Sequence, residues 1–136
     1  MAEAWPTKVI DVVIGIDDAF NFMNYVDPHK PVRLRLEVHE RCVLRFTLSE
    51  RLLTAGWQFQ DEPIVIRKDY GVNFSSYMWV ENEFQGEAAF NSRFEVVFEC
   101  ARYGEYEYSL LMLDRHRQKI SLDPKIQNGT GLPAAA

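Results

Sequence analysis

The residues able to carry out chemistry are few and scattered. His29, His39 and His116 are not spaced with another histidine, a cysteine or a carboxylate as a zinc site requires. His39 falls on the polar side of an alternating run and His116 in a polar cluster, so solvated roles are expected. Asp17 and Asp18, with Asp11 upstream, could offer carboxylates to a hard cation. Calcium sites gather roughly six or more oxygens, often from a compact D-x-[DN]-x-[DN]-G loop, and that loop is missing. Helix capping explains the pair better. No glycine-rich phosphate loop and no G-x-S-x-G elbow occurs. Ser75-Ser76, in the 71–83 loop, is the one stretch resembling an exposed nucleophile, and it lacks a recognisable base. A small hydrolase there ranks last among the functional readings. The expectation is no catalytic residue, no metal and no cofactor.

Cys42 and Cys100 both sit in strand-like runs and are expected to be buried thiols, with pairing between strands left open. The aromatic residues carry more information. Trp57, Tyr70, Phe74, Tyr77, Trp79, Tyr103, Tyr106 and Tyr108 exceed what a small sandwich obviously needs. Most are expected in the core. Trp57, Tyr77, Trp79 and Tyr103 are the candidates for a partner or ligand surface, because exposed aromatic clusters suit self-association or a sugar ring.

Composition bounds the partners. The chain has 136 residues and a net charge of −5, with 15 basic residues scattered among 20 acidic ones. Phosphate binding needs clustered Lys and Arg, so nucleic acid is not expected, nor is docking on an anionic membrane. No apolar run approaches the roughly 20 residues of a membrane helix. The opening residues lack a basic n-region and a cleavage site, and cytoplasmic residence is the expectation.

Period-two alternation dominates the elements that must position these side chains. Residues 8–16 read as a strand covered on both faces, and 17–25 as the one plausible helical turn. Residues 32–39 and 42–48 alternate strongly and read as a hairpin turning at Glu40-Arg41. SERLLTAG (49–56) could hold a helical turn, with Gly56 releasing the chain into Trp57. Residues 72–83 have aromatic strand character with an irregular segment, and 85–92 read as a loop. From Arg93 to Ile126 three strands are expected, with a reversal at Gly104, a second at 114–118, and a stop at Asp123-Pro124. The fold expected is all-β: one antiparallel β-sandwich, immunoglobulin-like or jelly-roll, spanning 1–126, with at most one short helix and a flexible tail at 127–136.

Two stretches resemble the bacterial inclusion-body protein family typified by PixA and AidA. VIDVVIGIDD (Val9–Asp18) resembles that family's opening strand. Tyr106–Ile126 resembles its closing segment: an aromatic strand, an Asp-Arg turn (Asp114, Arg115), a returning strand, then Asp-Pro-x-Ile (Asp123, Pro124, Ile126). The family's glycine-rich middle segment has no recognisable counterpart, and Leu122 stands where members often carry an aromatic residue. The resemblance implies a cytoplasmic β-sandwich, in some members abundant enough to form inclusions, with no established catalytic residues. Asp11, Asp17, Asp114, Arg115, Asp123 and Pro124 then read as turn-formers and strand-enders. The leading expectation is a non-enzymatic protein that self-associates as a homodimer or larger assembly. The alternative is a module binding a carbohydrate or host ligand.

Overall fold

Alternating apolar residues are buried by placing two sheets face to face. The computed structural model describes residues 8–19, 21–25, 35–38, 40–66, 74–99, 102–122, 125–128 and 132–133. In chain order the strands begin with β1 (Val9–Ile16), β2 (Phe22–Tyr25), β3 (Arg35–Val38) and β4 (Cys42–Leu48). The helix α1 (Glu50–Thr54) precedes β5 (Gln58–Ile66), β6 (Met78–Trp79), β7 (Glu83–Phe84) and β8 (Glu87–Ala88). The chain closes with β9 (Arg93–Phe98), β10 (Arg102–Leu113), β11 (Lys119–Leu122), β12 (Lys125–Asn128) and β13 (Leu132–Pro133).

The first sheet has the order β2-β1-β4-β9-β6. The second is built on the long strand β10. Along one side β10 pairs with β11 and then β12, and β3 lies beyond β12; along its other side it pairs with β5 and β13. Facing side chains close the gap: Val12, Ile14, Leu44, Phe46, Phe94 and Val96 from one sheet, Phe59, Ile64, Tyr108, Leu110 and Met112 from the other. All are buried, as period-two patterning demands of inner faces. The outer face of the first sheet is laced with ion pairs. Arg45 lies between Asp11 (3.6 Å) and Glu95 (3.2 Å), Arg41 meets Glu99, and Lys8 meets Glu40. The Glu40 carboxylate raises the pKa of the Lys8 ammonium. The Lys8–Glu40 pair is exposed on both sides and adds little stability, whereas Arg41–Glu99 and Arg45–Glu95 are half-buried.

The all-β sandwich matches expectation, but its wiring differs. The sheets are mixed: β1 runs parallel to β4, β3 to β12 and β13 to β10. The expected 32–39/42–48 hairpin does not form, because β3 belongs to the second sheet and β4 to the first. Alternation specifies which face of a strand is apolar, not which strand lies beside it. For the same reason Gly104 is not a reversal; it lies within β10, opposite Asn128, while β9 belongs to the other sheet. The first strand is covered chiefly on one face, since Val9 and Asp11 are exposed. In place of the helical turn expected at 17–25, β2 pairs antiparallel with β1 as a hairpin. The Asp17 carboxylate accepts from the amides of Ala19 (2.9 Å) and Asn21 (2.8 Å), so it shapes the β1–β2 turn.

The helix falls at Glu50–Thr54 instead, capped by Ser49, whose hydroxyl accepts from the Leu52 amide at 3.3 Å. Leu52 is buried under the sandwich end. The 127–136 segment expected as a tail contributes backbone pairing, through β12 up to Asn128 and through Leu132–Pro133 beside Arg102–Tyr103. Cys42 is buried on β4, while Cys100 lies outside the described residues. His29, His39, Asp123 and Pro124 lie outside them too.

Candidate functional site

The edge of the first sheet opposite β2 is the two-residue strand β6, and beside it lie the exposed aromatics. In β6, Met78 stands opposite Glu95 and Trp79 opposite Phe94. The ring of Trp79 lies 6.0 Å from that of Phe94, and Tyr77 lies 5.9 Å from Trp79 and 6.4 Å from Phe94. Phe94 in turn packs on Phe46 at 5.1 Å and Phe59 at 4.9 Å. A line of rings thus runs from solvent into the core, with edge-to-face contacts at its outer end. Trp79 keeps 40% of its surface exposed and Met78 47%. The Tyr77 hydroxyl donates to the Asp61 carbonyl at 3.1 Å, tying this edge to β5 in the other sheet.

Beyond Trp79 the chain folds back on itself. Strands β7 and β8 are joined by Gln85-Gly86, with φ of 54° and 81°. Two successive left-handed residues are what a two-residue hairpin of matching twist requires, and glycine takes the second place. The base of this hairpin is pinned from within. Ser92, which is buried, donates to the Ala89 carbonyl at 2.8 Å and accepts from the Asn82 amide at 3.0 Å. Asn91, at φ 47°, donates from its side chain to Asp61 at 3.1 Å, and its carbonyl accepts from the Phe59 amide at 2.7 Å.

Between Trp79 and the return of the hairpin lies a cleft of about 450 Å³. Trp79 and Phe90 line it together with Val80, and Glu81 and Glu83 stand on its wall. Phe90 is 82% exposed. Lys and Arg are missing from the lining, and neither Glu81 nor Glu83 forms an ion pair among the described residues. The volume is that of a small-molecule or side-chain site. Its lining thus combines apolar side chains, Trp79, Val80 and Phe90, with two carboxylates.

The four aromatic candidates separate accordingly. Tyr77 and Trp79 come together at the edge. Trp57 does not join them; half-buried, it packs edge-on against Phe22 at 5.5 Å, where it covers the core beside β2. Tyr103 lies on β10 in register with Pro133, and its side chain lies outside the described residues. Sequence reasoning missed Met78, Glu81, Glu83 and Phe90. The signal for them was Gln85-Gly86 between two short runs, a hairpin turn that reads as plain loop when the runs hold two residues each.

The other candidate chemistry is accounted for by structure. Ser75 accepts from the Val97 amide at 2.8 Å and donates to the Ser76 carbonyl at 3.0 Å, which fastens this segment to β9. A smaller hollow of about 310 Å³, lined by Ser75, Tyr77, Glu62 and Ile64 among others, adjoins it. Asp18 meets Arg51 at 3.2 Å and Asp11 faces Arg45, so the three N-terminal aspartates do not converge. Among the described residues no group of three or more His, Cys, Asp and Glu could hold a metal ion. Asp114 shapes its turn, accepting from the amides of His116 (2.8 Å) and Gln118 (2.9 Å).

No family model and no curated protein matches the chain. Among the described residues, no helix is long and apolar enough to cross a membrane.

Proposed function

We propose that the protein is a non-enzymatic, self-associating β-sandwich of the bacterial inclusion-body type, resident in the cytoplasm. The observation that carries this reading is the exposure of Met78, Trp79 and Phe90 around one short sheet edge. Large apolar side chains gathered at an open edge lose contact with water when a second surface covers them. The resemblance of VIDVVIGIDD and of Tyr106–Ile126 to that family supports the assignment. The engagement of the Ser75 hydroxyl with two backbone groups supports a role without catalysis in the 71–83 loop.

The test is light scattering on size-exclusion chromatography over a dilution series. A mass at dimer or above is expected, falling when Trp79 and Phe90 are replaced by serine. A monomer at every concentration would remove this reading.

A second reading, a carbohydrate-binding module, draws on the cleft itself, where an indole and carboxylates face the same space. Neutral saccharides that change tryptophan emission in the wild type but not in Trp79→Ala would favour it.

A further inference from the structure

We infer that the cleft beside β6 receives the Arg115-His116-Arg117 tip of a second copy of this chain. The inference rests on the self-association proposed above and names the two surfaces that meet. The first argument is charge. The cleft presents Glu81 and Glu83 with no cation among the described residues of its lining, and Trp79 and Phe90 supply exposed rings. The β10–β11 tip is the complement: Arg115, His116 and Arg117 are all exposed, and its one acid, Asp114, is occupied by the backbone of its own turn. A guanidinium prefers a site offering aromatic faces and carboxylates together, because it stacks through its plane and donates through its edge.

The second argument is stiffness. Asp114 closes the turn twice more through backbone bonds, to Gln118 at 3.1 Å and Arg117 at 3.0 Å, and Arg117 holds φ 61°. At its base Arg115 abuts Gly56 so closely that a Cβ there would lie 2.8 Å from the Arg115 Cβ. A pre-shaped tip loses little conformational freedom on docking. The cleft is equally fixed, by the Asn82–Ser92–Ala89 and Asn91–Asp61 bonds.

The third argument is placement. Asn91 at the cleft bonds Phe59, Phe59 pairs with Met112, and Leu113 leads directly into the tip. Cleft and tip therefore sit at the same end of the sandwich. A two-fold axis between them sends each tip into the other copy's cleft, and the exchange closes at two copies.

Charge reversal tests this on the full chain. Glu81→Arg with Glu83→Arg, and separately Arg115→Glu with Arg117→Glu, place like charges at both contacts, so each double variant should dimerise at least about tenfold more weakly than wild type. An equimolar mixture of the two restores opposite charge at both contacts and should run as a dimer. Thermal melts close to wild type will confirm that these surface changes leave the fold intact. A wild-type dimer indifferent to both reversals overturns this inference and leaves the self-association standing. So does a mixture that stays monomeric while both variants melt like wild type. A monomeric wild type overturns both.

Discussion

The rings of Phe46 and Tyr108 meet across the gap between the two sheets, 5.8 Å apart and tilted by 57°. Both are fully buried, yet among the described residues the Tyr108 hydroxyl has no hydrogen-bond partner. An unsatisfied buried hydroxyl forfeits its bonds to water without replacement. Tyr108→Phe should therefore keep the packing and raise stability by about 1 kcal/mol. Urea unfolding at neutral pH measures it, and a loss above that size would mean the hydroxyl is satisfied.

The same residue sets an alkaline limit. Burial pushes the Tyr108 pKa up from its ordinary value. An unfolded tyrosine ionises near about pH 10, whereas the folded one stays neutral, so above that pH only the unfolded state gains from losing the proton. The contribution is complete below about pH 10 and declines above it by about 1.4 kcal/mol per pH unit. Unfolding measured between neutral and alkaline pH should show a steeper decline for wild type than for Tyr108→Phe.

Gly56 answers two demands at once, φ of 86° and a close approach to Arg115. Gly56→Ala violates both, and a cost of about 1–3 kcal/mol is expected in denaturant unfolding. Gly86, with φ 81° and open space around it, meets only the first, so Gly86→Ala should cost less.

Phe90 separates association from stability. Its ring is so exposed that Phe90→Ser should change folding free energy by less than about 0.5 kcal/mol. Trp79→Ser should cost more, because one of its contacts is the core residue Phe94. If Phe90→Ser unfolds the protein readily, the ring is covered in solution in a way an isolated chain lacks.

Ser75→Ala removes the acceptor for the Val97 amide and should destabilise by about 1–3 kcal/mol. An ester-hydrolysis assay on the wild type at high protein concentration should show the buffer rate. Hydrolysis abolished by Ser75→Ala without a change in melting would reinstate a nucleophile there.

What could be read from the residues follows a physical division. Leu44, Phe46, Phe94 and Val96 announce their strands because a half-buried strand needs period two, and the polar run at 114–118 announces a hairpin because Asp114 can bond its own turn. The partners of those strands are not legible. Nothing local to Arg35 says that it lies beside Lys125, since backbone pairing is indifferent to the side chains above and below the sheet. The candidate site was half legible: Tyr77 and Trp79 stand out by type, but Phe90 joins them only once the Gln85-Gly86 turn brings the chain back. Trp57 looked equal to Trp79 in sequence. Only the position of Phe22 decides that it faces inward.

The parallel pairing of β3 with β12 has a consequence for how the protein is made. Arg35 leaves the ribosome well before its neighbour Lys125 has been synthesised. The second sheet cannot close until the last strands emerge, and β3 must wait without its partner. Chains made faster than they fold would expose that waiting edge to one another, so slower translation should favour soluble product. The yield of native protein is then a matter of tempo.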